Sequence, residues 1–158
     1  MTAVQIRLMQ GEDVPAMLGI QAQCYPPSMN ESAQVLTARH ARCGETAWVA
    51  VDAAGEVGAY LVAYRSRRGK VSCLGDAFAH EPQADVLYLH DLAIATEWRG
   101  RGLARTLVDH ARQQAQAQAL ARTMCIRRSA RSRASSTPHS TSWALPTRTP
   151  NSARHQTA

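Results

Sequence analysis

Two stretches of this 158-residue chain hold residues whose types and spacing could do chemistry. The first is Arg99-Gly100-Arg101-Gly102-Leu103-Ala104, followed by Arg105. A glycine-rich turn that opens a helix gathers unpaired backbone N–H groups at the positive end of the helix dipole, which suits an anion such as a pyrophosphate. Gly100 and Gly102 would let phosphate approach the backbone, and Arg99, Arg101 and Arg105 would add full charges. Taken alone, the same residues also fit a solvated basic connection. The second stretch is VLYLHDLAIA at 86–95, apolar except for His90 and Asp91. Polar residues in such a run need a reason. With a two-residue strand period, Tyr88 and His90 share one face and Asp91 points to the other. A histidine in such a strand can be a hydrogen-bonded core residue, and Asp91, on the opposite face, reads as a structural partner more than as a catalyst.

These residues need a scaffold, and the flanking pattern supplies one. Residues 86–95 read as a central strand covered on both faces. After Thr96-Glu97-Trp98 and the glycine turn, Leu103, Leu107, Val108, Ala111 and Ala115 recur at helical spacing, so the order is strand, turn, helix. Upstream, residues 6–9 predict a first strand. Glu12, Asp13 and Pro15 open a helix carrying Val14, Met17, Leu18, Ala22 and Tyr25, which stops at Pro26-Pro27. Residues 31–43 predict a second helix ending at Gly44. Residues 47–51 and 57–64 predict strands joined by a hairpin through Gly55. Residues 66–84 read as a long loop, with Arg65, Arg67, Arg68 and Lys70 as a solvated tip.

Length allows one domain with a real core. The four cysteines are 19, 30 and 52 residues apart, so no CxxC pair suggests zinc or a redox couple, and no metal is expected. No apolar run approaches the roughly 18 residues of a membrane span and the N-terminus lacks an export-signal pattern, so the expected location is cytoplasmic. The net charge of +6 is unevenly placed. Residues 1–120 hold eleven basic and twelve acidic residues, a net −1, whereas residues 121–158 hold seven arginines and no acid. From Arg122 onward there are thirteen Ser and Thr, seven Arg and three Pro in thirty-seven residues, a composition that buries little surface. The chain therefore divides into a folded domain, 1–121, and an Arg/Ser/Thr/Pro-rich tail, 122–158. The tail is either a basic arm or the product of out-of-frame translation.

Neither a Gly-Lys-Ser/Thr phosphate loop nor an early GxGxxG unit is present. What residues 87–108 (LYLHDLAIATEWRGRGLARTLV) do resemble is the GNAT N-acetyltransferase superfamily. Its Q/R-x-x-G-x-G/A pattern is matched by Arg99, Gly102 and Ala104. The resemblance covers residues 4 to about 121 and implies a mixed α/β fold, in which helices flank a partly splayed sheet. It further implies that residues 99–105, with Leu103 included, hold the pyrophosphate of acetyl-CoA, and that backbone N–H groups of Leu92, Ala93 and Ile94 hold the acetyl carbonyl. The strand and the Pro26-Pro27-Ser28 stretch look most like the arylalkylamine N-acetyltransferase branch, which carries histidines where this chain has Tyr88 and His90. The implied activity is transfer of an acetyl group to the primary amine of a small molecule, with His90 and Tyr88 as catalytic candidates. The superfamily continues with a further strand and helix and often a tyrosine acid. Here no tyrosine follows Tyr88, and the C-terminal strand-helix part is expected to be incomplete. A catalytically impaired CoA-binding remnant is therefore a second reading, and a nucleic-acid module acting through the tail a third. Nucleic-acid and membrane partners are not expected, while a homodimer is compatible with the superfamily.

Overall fold

The computed structural model describes residues 3–70, 72, 75, 76, 78, 81–120 and 122–125. Among them a five-stranded sheet runs in chain order: β1 (Gln5–Leu8), β2 (Ala47–Val51), β3 (Val57–Ser66), β4 (Val86–Ile94) and β5 (Arg122–Cys125). The first three pairings are antiparallel and β4 with β5 is parallel, so the sheet is mixed as expected. Three α-helices pack on it: α1 (Val14–Cys24), α2 (Ala33–Cys43) and α3 (Leu103–Ala117).

Local sequence explains the element ends. Asp13 accepts a hydrogen bond from the Gln10 amide just ahead of α1, and Pro15 sits in the first turn, where no N–H is needed. Ser32 caps α2 through the Val35 amide. Gly55, at φ +86°, closes the β2–β3 hairpin in a conformation that favours glycine. α3 buries Leu103, Leu107, Ala111 and Ala115, the predicted stripe. α1 departs from its predicted face: Ala22 is exposed, and Gln21 is buried because its side chain bonds both backbone groups of Glu31. Of the four predicted tip cations, Arg65 at the end of β3 pairs with Glu45 and both Arg67 and Lys70 pair with Glu81.

The helices lie on opposite faces. Ala47 and Val62 line a cavity under α2, whereas Trp48, the next residue along β2, meets His110 of α3 edge to face at 5.5 Å. Thr46 and the strand residues 47–51 and 58–64 are buried between these layers.

The C-terminal boundary differs from the expectation. Arg122–Cys125, read as the start of the tail, forms β5 beside Val86–Leu89. A parallel strand needs only backbone to pair, and β4 offers that edge whatever the neighbouring composition. Residues 126–158, including His139 and His155, lie outside the described residues, as do Cys73 and His80.

Candidate active site

The register of β4 changes in mid-strand. Ala63 pairs with Leu89 and Val62 with Asp91, which leaves His90 as an extra residue, a β-bulge. A bulge breaks the two-residue period. Consequently His90 and Asp91 both face the α1/α2 side and line the same cavity with Met17, Leu36 and Arg39. The expectation that Asp91 points away from His90 is thereby corrected.

His90 is 6% exposed and its Nε2 lies 3.3 Å from Arg39 Nη1. A guanidinium has only donors, so Nε2 accepts and the ring proton sits on Nδ1. Arg39 is itself buried: it pairs with the Glu31 carboxylate, donates from Nε to the Asp76 carbonyl at 2.9 Å, and stacks 4.2 Å from the Phe78 ring centroid. Glu31 also accepts from the Gly75 amide at 2.8 Å. This network ties α1, α2 and the loop ahead of β4 to the bulge. With Nε2 engaged by an arginine, His90 in this arrangement matches the hydrogen-bonded core histidine that the sequence offers beside the general base. Tyr88 is also buried, its ring 5.1 Å from that of Tyr64.

Asp91 is half-buried and takes two phenol hydrogen bonds: Tyr25 Oη donates to Oδ1 at 2.5 Å and Tyr60 Oη to Oδ2 at 2.7 Å. Burial first, and the neighbouring Asp91 charge second, push the Tyr60 phenol far above its ordinary range. Tyr25 Oη also lies 3.2 Å from the Leu92 carbonyl. The end of α1 is joined to β4 again where Cys24 Sγ donates to the Ile94 carbonyl at 3.3 Å and Gln23 accepts from the Thr96 amide at 2.9 Å.

β5 pairs with β4 only as far as Leu89 among the described residues. Beyond the bulge, Leu92, Ala93 and Ile94 pair with Leu61, Tyr60 and Ala59 of β3, and their other edge has no described strand beside it. A strand's amides alternate between its two edges, so this half of β4 directs N–H groups away from β3. The glycine turn follows at once. Gly100 and Gly102 take φ +77° and +76°, and a Cβ on either would meet nothing within 4 Å, so the space over the turn is open. The first helical bond of α3 runs from the Thr106 amide to the Gly102 carbonyl, and helix geometry leaves the amides of Leu103, Ala104 and Arg105 without an intrahelical acceptor. Trp98 anchors the turn by lying flat on Gly58, where a Cβ would come within 1.8 Å of its ring.

The arginines are arranged less simply than their spacing implies. Arg101 lies over the Trp98 ring at 5.0 Å and donates to the Glu97 carbonyl, and Arg105 pairs with Asp109 one helical turn on. Arg99 reaches back to Cys24 Sγ at 3.8 Å. All three are exposed, so each can turn to an incoming anion. The donor set and the open turn fit a pyrophosphate.

A strand whose second neighbour, among the described residues, ends at a bulge and that runs into an amide-rich helix N-terminus is a distinctive arrangement, and residues 14–134 match the model of the acetyltransferase (GNAT) family. The chain belongs to that family. Members of the GNAT family are acyl-CoA N-acyltransferases. No curated protein matches the sequence. Among solved structures, this GNAT is similar to a GNAT-like decarboxylase, GphF, in complex with isobutyryl-CoA, with a TM-score of 0.65 and 19% identity over 77% of this chain and 65% of that one. The loading GNATL domain of CurA from Lyngbya majuscula gives 0.66 and 14%, over 78% and 64% of the two chains. Diaminobutyrate acetyltransferase EctA from Paenibacillus lautus, in complex with L-2,4-diaminobutyric acid and coenzyme A, gives 0.60 and 15%, over 79% and 66%. At these identities the likeness is one of fold, and this GNAT spans just under two thirds of the length of the first two.

Sequence reasoning missed Arg39, Glu31, Tyr25 and Tyr60. A signal for Arg39 existed: with Leu36 and Cys43 it occupies spacing i, i+3, i+7, a charge on the buried stripe of α2. Among the described residues no cluster of His, Cys, Asp or Glu could hold a metal ion, and no helix is long and apolar enough to cross a membrane.

Proposed function

We propose that this GNAT transfers an acetyl group from acetyl-CoA to the primary amine of a small molecule, by direct attack of the amine on the thioester. The observation that carries the reading is the junction of the half of β4 that has no second neighbour among the described residues with the turn at Gly100 and Gly102. Residues 99–105 hold the pyrophosphate there through the Leu103, Ala104 and Arg105 amides and the three arginines. The amides of Leu92, Ala93 and Ile94 that point away from β3 stabilise the oxyanion of the tetrahedral intermediate. The strand motif and Pro26-Pro27-Ser28 favour an arylalkylamine-type acceptor. The amine reaches the thioester from the α1 side, where Tyr25, Asp91 and Cys24 meet β4.

Calorimetry with acetyl-CoA, followed by thiol release with a panel of amines, tests the reading. Binding with turnover supports it. Binding without turnover supports the alternative of a CoA-binding remnant, and a folded protein that binds no acetyl-CoA refutes both.

A further inference from the structure

The attacking amine is mostly protonated at neutral pH and must lose protons as the amide forms. His90 does not offer a lone pair for this, since Arg39 holds its Nε2. One residue further along the bulge, the Asp91 carboxylate is gripped from two sides by phenols. The two phenols differ. Tyr60 is wholly buried, and burial together with the Asp91 charge keeps it protonated, so it serves only to hold Oδ2 in place. Tyr25 is half-buried, at the end of α1, and its oxygen stands 3.2 Å from the Leu92 carbonyl, beside the strand segment assigned to the thioester. Its single proton points along the 2.5 Å line to Oδ1, and a phenol oxygen that donates its proton can still accept through its lone pairs. Holding α1 against β4 does not require this carboxylate, because the Cys24–Ile94 and Gln23–Thr96 bonds already do so.

We infer that Tyr25 is the residue that accepts the amine's proton, with Asp91 behind it as the base that makes this possible. The inference rests on the acetyltransferase reading. The ammonium first releases one proton to solvent; as the C–N bond of the neutral amine forms, the nitrogen gives its second proton to Tyr25 Oη while the Tyr25 proton passes to Asp91 Oδ1. The C–S bond then breaks with its electron pair on sulfur, and the proton returns from Asp91 through Tyr25 to that thiolate. One amine and one thioester become one amide and one thiol, and both side chains end as they began. Tyr25 thus serves both as the acceptor of the amine's proton and as the donor to the thiolate. The groups facing the pair are Tyr60 of β3, Cys24 of α1 with Arg99 beyond it, and His90 of β4 with Arg39 and Glu31 of α2 and its approach.

The test uses the full chain with acetyl-CoA and whichever amine of the panel the wild type turns over, across a pH series. Tyr25→Phe removes one oxygen and keeps the ring. It should lower kcat on the order of 10²- to 10⁴-fold and leave the acetyl-CoA Kd within about twofold. Asp91→Asn should do the same, and the double variant should be no worse than either single one. Wild-type kcat and pH profile in Tyr25→Phe would overturn the inference while leaving the acetyltransferase reading intact. So would a loss of kcat of that size in His90→Gln that Tyr25→Phe does not share. A folded wild type that binds acetyl-CoA and releases no thiol with any amine would overturn both.

Discussion

The two halves of β4 share one strand and obey different rules. From Val86 to Leu89 the strand is paired on both edges and buried, and its side chains are apolar apart from the Tyr88 hydroxyl. From His90 to Ile94 it is paired only with β3 among the described residues, and it carries His90 and Asp91 on one side. The bulge separates them. What this teaches is that polar groups in an apolar run mark the point where the run stops being core. There backbone amides become available, and the charges gathered around them are fixed by partners from three other elements.

The comparison can be broken most severely at Arg39. Arg39→Met leaves Glu31 buried without its counter-ion, a change that typically costs about 3–5 kcal/mol, and urea unfolding should show it as a lower midpoint. Loss of stability below that range would mean that the half of β4 after the bulge does not depend on the network. Next comes Gly102→Asp. Aspartate tolerates the left-handed conformation better than most residues, so the melting temperature should stay close to wild type. Acetyl-CoA binding should nevertheless weaken at least about 100-fold, roughly 2.7 kcal/mol, because the carboxylate faces the pyrophosphate. Unchanged affinity would move the cofactor away from this turn. Gly58→Ala sharpens the link between the turn and the sheet: Trp98 must shift to admit the Cβ, at about 1–3 kcal/mol, and acetyl-CoA affinity should fall with it. A variant as stable and as tight as wild type would show that Trp98 does not set the turn.

The smallest effect lies far from β4, at the other edge of the sheet. Burial pushes the Asp13 carboxyl up, but the paired hydrogen bonds from Arg7 and the bond from the Gln10 amide outweigh burial and hold it below the ordinary carboxylate range. A depressed folded-state value contributes stability above the unfolded pKa of about 3.9, and that stability is lost as pH falls through the folded value. Urea midpoints measured from pH 6 down to pH 2.5 should converge for wild type and Asp13→Asn. Parallel curves would show that the pair adds nothing, and no corresponding drop is expected from the half of β4 that precedes the bulge.

Much of this was legible in the sequence because local rules govern it. The periodic apolar stripe of α3, the stop at Pro26-Pro27, the hairpin at Gly55 and the glycine turn each depend on residues close in the chain. Gly100 and Gly102 announce their turn by needing positive φ. β5 was not legible, since a parallel edge is recognised by the strand it joins and not by its own composition. Nor was the bulge, which depends on how β3 and β4 meet: His90-Asp91 marks the place in the run, but the sequence does not show that both side chains fall on one face.

The sequence by itself therefore determined the order of elements up to α3, the family and the place of the glycine turn, because backbone conformation and hydrophobic period act over a few residues. Only the tertiary structure decided which polar side chains share a face and what holds them. Tyr25 meets Asp91 across 66 positions of chain and Arg39 meets His90 across 51, and contacts over such separations are made by packing.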